Sequence, residues 1–189
     1  MNYTNKPFFM VRHGETVANK DGVAAGIFDT PLTEKGREQA IHLERIIFGS
    51  KLHLNYIVHS GLSRARDTAV LLNQRFDLPL FENKKLAEQN FGDWQGMNWK
   101  EMMGLIRSGH TPPGGESPAS FYERAAIGIQ ESLCILPGMP LLVTHGGIFD
   151  AFFDSYGLKE IDVKNCALYE CLLEKKEDSV IGYAKEYSN

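Results

Sequence analysis

Short apolar runs alternate with amphipathic stretches along this chain. Phe8-Phe9-Met10-Val11 is an unbroken apolar run and predicts a strand buried on both faces. Behind Thr33, a candidate N-cap, Gly36, Ala40, Leu43 and Ile47 share one helical face, and Gly49 marks the stop. Tyr56-Ile57-Val58 predicts a second strand. Ser63 then caps a second helix whose apolar face carries Ala65, Ala69, Leu72 and Phe76. Phe81, after Pro79, marks a short strand. From Glu88 to Gly115 the periodicity weakens and Gly, Trp, Met and Pro accumulate. An irregular excursion is expected there, with a short helix from Trp99 to Ile106, of the kind that covers an active site.

A long helix is expected from Ser117, with Pro118 at its first position, where a missing N–H costs nothing. Phe121, Ala125, Ile129, Leu133 and Leu136 make its core face, and Pro137-Gly138 ends it. Leu141-Leu142-Val143-Thr144 is a third strand, followed by a helix from about Ile148 to Tyr156. Weaker strands are expected around Ala167–Leu173 and Val180–Tyr183. This alternation predicts a single α/β domain over residues 1–189, a three-layer α/β/α sandwich with a mostly parallel central sheet. Ligands of such sheets sit outside the carboxyl ends of the strands.

Composition narrows the classes. With 189 residues, 43% hydrophobic and 23% charged, the chain can bury a substantial core and is neither disordered nor fibrous. A formal net charge of -4 argues against a nucleic-acid partner. Cys134, Cys166 and Cys171 form no Cys-x-x-Cys pair, so neither a disulfide framework nor a zinc site is expected, and the thiols read as buried in a reducing compartment. The N-terminal Met1-Asn2-Tyr3-Thr4-Asn5-Lys6-Pro7 has no signal-peptide core. Asp150 and Asp154 interrupt the longest apolar run, so no membrane partner is expected. The expected location is cytoplasmic.

Three strand ends carry unusual chemistry. Arg12-His13-Gly14-Glu15-Thr16 follows the first strand, His59-Ser60-Gly61-Leu62-Ser63-Arg64 the second, and His145-Gly146-Gly147 the third. Arg64 and Arg66 fall in or near the first turn of a helix, where a cation is disfavoured by about 0.3–1 kcal/mol. Arg66 reads as pointing into water. Arg64 reads as gripping an anion, because its planar fork suits phosphate. Glycines beside His13 and His145, Gly14 and Gly146, allow a ligand close to the backbone. A neutral imidazole is a competent nucleophile, and two arginines with a second, protonated histidine would stabilise a transferring phosphoryl group. A carboxylic acid must protonate the leaving oxygen. Glu15, Glu88, Glu101 and Glu116 all remain open for that role.

In this order along the chain, these motifs resemble the histidine phosphatase superfamily, in its phosphoglycerate mutase-like branch. The resemblance runs through Val11-Arg12-His13-Gly14-Glu15-Thr16 with Asn19, and Asp29-Thr30-Pro31-Leu32-Thr33-Glu34-Lys35-Gly36 with Gln39-Ala40. It continues through Ser60, Leu62, Arg64-Ala65 and Thr68-Ala69, then Leu86, Glu88, Phe91-Gly92, Trp94 and Gly96, then Gly115-Glu116-Ser117, and closes on Val143-Thr144-His145-Gly146-Gly147. It implies that His13 is the nucleophile, that Arg12, Arg64 and His145 bind the phosphoryl oxygens, and that Asn19 and Gly146 contact phosphate or substrate. Glu88 becomes the proton donor that later activates water. No metal and no organic cofactor is implied, and the partner is a small phosphorylated metabolite.

Some positions depart from the common pattern. His59-Ser60-Gly61 replaces a frequent Ser-Ser-Pro, and Asp67 replaces a frequent Gln, which bears on substrate preference. The compact length, and Ala18 where mutases commonly carry Trp, favour a phosphatase over a phosphoglycerate mutase. The chain equally resembles α-ribazole phosphatases and fructose-2,6-bisphosphatase domains. A non-catalytic phospho-ligand module would have lost His13 or Glu88. A metallohydrolase built on His13 and His145 lacks a carboxylate-rich ligand pattern. His42, His53 and His110 are assigned to the surface, Trp94 and Trp99 to packing of the excursion, and His59 to a structural or pocket role. Specificity is placed in residues 90–115. An edge strand near the C-terminus leaves monomer or homodimer open.

Overall fold

The computed structural model describes residues 7–50, 52–159, 161–176 and 179–187. The N-terminal run read for a leader lies, but for Pro7, outside the described residues. Strands β1 (Phe8–Arg12), β2 (Tyr56–His59), β3 (Leu80–Glu82), β4 (Pro140–Thr144), β5 (Leu168–Lys176) and β6 (Ser179–Glu186) form one sheet in the order β3-β2-β4-β1-β5-β6. β1 to β4 are mutually parallel, while β5 runs antiparallel to β1 and pairs with β6 as a hairpin. The hairpin strands are longer than the sequence suggests. The apolar runs of β1, β2 and β4 are buried on both faces, as unbroken hydrophobicity requires.

Alternate residues of each strand serve opposite layers. Phe9, Val11, Ile57, Leu141 and Val143 pack on α2 (Glu34–Gly49) and α3 (Ser63–Leu72). Phe8, Met10, Tyr56, Val58 and Leu142 pack on α5 (Pro118–Ser132) and α6 (Gly146–Ser155). A small third cluster of Ala24, Phe91 and Met102 lies under the excursion, which carries α4 (Trp99–Arg107). The expected three layers are therefore present.

Local chemistry sets the helix ends. Thr33 caps α2 through Gly36 N at 3.0 Å, and Ser117 caps α5 with Pro118 in the first turn. Ser63 is not the cap of α3. Leu62 holds that position without a side-chain bond, and Asp29 accepts from Ser63 N at 3.3 Å and from the Ser63 hydroxyl. Helix α5 stops at Ser132 rather than at Pro137, and the Tyr56 hydroxyl donates to the Ser132 carbonyl at 3.0 Å. Leu136 is consequently exposed, and so is Cys134, contrary to the expectation of buried thiols. A five-residue helix, α1 (Val17–Asp21), has no periodicity to announce it. A reciprocal Thr16–Asn19 capping box starts it, and Gly22, at φ 67°, ends it.

The first turn of α2 lies against the backbone that leaves β1. A Cβ on Gly36 would sit 2.1 Å from the Glu15 carbonyl oxygen, and one on Gly14 would sit 2.4 Å from the Gly36 carbonyl oxygen. Gly36→Ala should therefore destabilise the chain by about 1–3 kcal/mol, since backbone cannot yield cheaply. Gly104→Ala, in the interior of α4 with nothing within 4 Å of the added carbon, should stabilise by about 0.5–1 kcal/mol. Urea unfolding of the two variants against wild type checks both signs.

Candidate active site

Because β2, β4 and β1 are neighbours, their carboxyl ends bring Ser60, His145, Arg12 and His13 together. His13 is buried, with Nδ1 2.8 Å from the Gly14 carbonyl oxygen. A carbonyl only accepts, so the proton sits on Nδ1 and Nε2 carries the lone pair. Arg64 Nε donates to that Nε2 at 3.3 Å. The rest of the Arg64 guanidinium donates to the carbonyls of Gly26 at 2.6 Å and Phe28 at 3.1 Å, and the residue is 2% exposed. Thr68 joins the two segments by accepting from Gly14 N at 3.0 Å and donating to the Arg64 carbonyl at 2.7 Å. Arg66 is exposed, as expected, and pairs with Asp67. Part of the negative charge that the sequence argument assigned to a ligand near Arg64 comes from Asp29.

Arg12 Nη1 donates to the Val163 carbonyl at 2.8 Å, while its buried Nε has no hydrogen-bond partner. His145 is wholly buried, with its ring centroid 5.1 Å from that of His13. His145 Nε2 lies 2.7 Å from Ser60 Oγ, and its Nδ1 is unpartnered. Two buried polar atoms near His13 thus await a partner, as an oxyanion site requires. Burial, then Arg64 and Arg12, hold the His13 pKa well below its usual value. Burial, then Arg64, His13 and Arg12, do the same to His145. Burial also lowers Arg12 and Arg64, with Glu88 the first opposing charge for each.

Of the open carboxylates, only Glu88 lines the cavity beside His13, whose volume is about 420 Å³. Its Oε2 accepts from Gly147 N at 3.2 Å. A Cβ on Gly147 would lie 2.3 Å from Glu88 Oε1, which accounts for the second glycine of His145-Gly146-Gly147. Glu15 is turned to the start of α2, bonded to Thr33 and Lys35. Glu116 is engaged by Arg124, and Glu101 is exposed on α4. Arg12, Asn19 and Gly146 also line the cavity. His59 does not; its Nδ1 accepts from Gly61 N at 3.1 Å and holds the turn. His42, His53 and His110 are exposed. Trp94 packs with the third cluster, whereas Trp99 lines the cavity. Among the described residues, no three His, Cys, Asp or Glu side chains converge as a metal site, and no helix is long and apolar enough to cross a membrane.

The model of the histidine phosphatase superfamily, branch 1, matches residues 8–184. The chain belongs to that superfamily. It is 32% identical over 159 residues to a glucosyl-3-phosphoglycerate phosphatase of Mycolicibacterium vanbaalenii, covering 75% of this chain and 70% of that one. It is 30% identical to a 2,3-bisphosphoglycerate-dependent phosphoglycerate mutase of Parvibaculum lavamentivorans, covering 73% of each. A mycobacterial glucosyl-3-phosphoglycerate phosphatase complexed with VO3 superposes with a TM-score of 0.81 at 26% identity, covering 96% of this chain and 98% of that one.

Two supports of this histidine phosphatase site escaped the sequence reading. Arg124, on α5, grips both Glu116 carboxylate oxygens at 2.7 Å. It also donates to the carbonyls of Lys85, Ala87 and Glu88, so one guanidinium shapes the segment that presents Glu88. Asn165 Nδ2 donates to the His13 carbonyl at 2.8 Å and to Asn19 Oδ1 at 3.2 Å. Thr16 N uses the same Asn19 oxygen, which turns the Asn19 amide nitrogen away from both donors. The partners of the Asn165 amide fall 146 and 152 residues away, beyond any local signature.

The depressed imidazoles set a pH dependence. In the unfolded chain both histidines take up a proton near the ordinary value of 6.5, whereas in the folded chain they do not. The unfolded state then binds more protons, so their contribution lowers stability as pH falls through about 6.5. Nitrogen-15 NMR of the folded chain should find the His13 and His145 rings neutral as pH crosses 6.5. A ring titrating at its ordinary value would show that burial and the arginines do not control it.

Proposed function

We propose that this histidine phosphatase is a phosphomonoesterase acting on a small phosphorylated metabolite through a phosphohistidine on His13. The observation that carries the reading is the His13 ring, with Nδ1 bonded to Gly14, Nε2 presented beside Arg64, and the neutral form favoured by burial. Arg12, Arg64, His145 and Asn19 receive the phosphoryl oxygens. His13 Nε2 attacks phosphorus, the N–P bond forms, and the bond from phosphorus to the ester oxygen breaks. Protonated Glu88 delivers its proton to that oxygen, and the alcohol leaves. Glu88, now a carboxylate, takes a proton from water as that water attacks phosphorus. The N–P bond breaks, orthophosphate leaves, and both side chains return to their starting states. Charge stabilisation comes from the arginines, so the reading includes no metal and no organic cofactor. It places one catalytic domain over residues 1–189 and a cytoplasmic location. The similarity to a mycobacterial glucosyl-3-phosphoglycerate phosphatase complexed with VO3, and to the glucosyl-3-phosphoglycerate phosphatase of Mycolicibacterium vanbaalenii, supports this reading.

Phosphate release from a panel of phosphorylated metabolites, with chelator present and His13→Ala run in parallel, tests the reading. Release should survive chelator and drop by more than about 1,000-fold in the variant. An acid-labile phosphoryl group should be trapped on His13 of the wild-type chain. A folded His13→Ala variant that turns over normally would end the mechanism. Isomerisation of phosphoglycerate without net release would make the chain a mutase.

Glu88→Gln should slow hydrolysis of alkyl phosphates by about 100-fold or more, since their leaving oxygens need a proton. Nitrophenyl phosphate, whose leaving group departs as an anion, should lose far less. Equal slowing of both substrates would remove Glu88 from the acid role.

A further inference from the structure

Beyond the phosphoryl pocket, the cavity presents the apolar side chains of Val23, Phe91, Trp99 and Ile161, and the charged side chains of Asp150, Asp162 and Lys164. The lining cations are Arg12, Arg64 and Lys164, and the lining carboxylates are Glu88, Asp150 and Asp162. Both arginines belong to the phosphoryl pocket. Lys164 is thus the remaining described cation on the cavity wall, and its ammonium is paired with Asp162. Asp162 and Asp150 each favour the charged form of Arg12, so their negative charge reaches the phosphoryl site.

Among the described residues of that wall, a substrate carrying a carboxylate or second phosphate would find no cation outside an ion pair, and the Asp162 carboxylate beside the one lysine. Like charges brought together in a partly enclosed cavity are disfavoured. An uncharged skeleton meets a different surface. Trp99 is 45% exposed, its ring packs edge-on against Phe91, and its backbone N bonds the Gly22 carbonyl at 2.9 Å. Covering this anchored indole with a ring or carbon chain removes apolar area from water.

We propose that the site selects phosphomonoesters of uncharged alcohols that lay an apolar or ring face on Trp99, and that the Asp162–Lys164 pair turns away substrates with a second anionic group. This rests on the phosphomonoesterase reading of His13. It separates the chain from a phosphoglycerate mutase, whose substrate carries a carboxylate.

The test uses sn-glycerol 3-phosphate and 3-phosphoglycerate, which differ by a hydroxymethyl group in place of a carboxylate, together with phenyl phosphate. In the wild-type chain, kcat/KM for glycerol 3-phosphate should exceed that for 3-phosphoglycerate by about tenfold at low salt. Asp162→Asn frees Lys164 and should raise 3-phosphoglycerate relative to glycerol 3-phosphate several-fold, with the gain fading as salt rises. Trp99→Ala should raise KM for phenyl phosphate more than for glycerol 3-phosphate. A wild-type preference for 3-phosphoglycerate, or a ratio unmoved by Asp162→Asn, overturns the proposal. Absence of His13-dependent release from all three compounds overturns the phosphomonoesterase reading and the proposal with it.

Discussion

The site is organised around the burial of Arg64. A guanidinium taken out of water is tolerated only where its N–H groups are met by acceptors. Here the acceptors are the carbonyls of Gly26 and Phe28 and the His13 Nε2. One side chain on α3 therefore fixes the loop after α1 and the exit of β1 at once. That loop then holds the excursion: Gly96 N bonds the Ala24 carbonyl at 2.7 Å, and Ala24 N bonds the Met97 carbonyl at 2.8 Å. The wall that carries Trp99 is thus placed by a chain of backbone bonds that begins at the buried arginine.

The same burial sets the protonation of the site. Desolvation and the two arginines push His13 and His145 in one direction, toward neutral imidazole. For His13 this is the form with a lone pair to offer, and the Gly14 carbonyl decides which nitrogen offers it. The arginines are themselves disfavoured by burial and are offset by carboxylates, Glu88 foremost. A phosphate dianion supplies charge of the sign this cluster lacks, in a place where donors already stand. Such preorganisation is how phosphoryl transfer is accelerated with little motion of the protein.

The sequence makes legible what depends on local pattern. The runs in β1, β2 and β4 need no alternation because both faces are buried, and the three strand-end motifs meet because those strands are neighbours. Resemblance selected Glu88, which spacing left open, and Glu88 lines the cavity beside His13. What stayed hidden depends on partners far along the chain. The Asp29 cap of α3 comes from a loop 34 residues away, and the Ser132 carbonyl at the end of α5 meets Tyr56 at a separation of 76. Arg124 and Asn165 act largely on backbone carbonyls, which every residue type offers, so nothing in the sequence marks their targets. The direction in which burial pushes His145 is likewise hidden, because pattern carries no measure of desolvation.

The segment from Ile161 to Asn165 shows why chemistry and selectivity are hard to separate in this site. Its Val163 carbonyl holds Arg12, and its Asn165 amide holds both the His13 carbonyl and Asn19. Alternating with these anchors, Asp162 and Lys164 stand on the cavity wall. Val163 is itself buried in the core cluster that includes Phe8, Met10 and Phe149, so the segment cannot slide without disturbing buried contacts. Under the proposed selectivity, a change of charge at Asp162 or Lys164 would alter what the cavity admits while the two anchors keep His13 in place. Exposed positions of this segment can therefore vary while its anchoring groups stay committed to holding Arg12, His13 and Asn19.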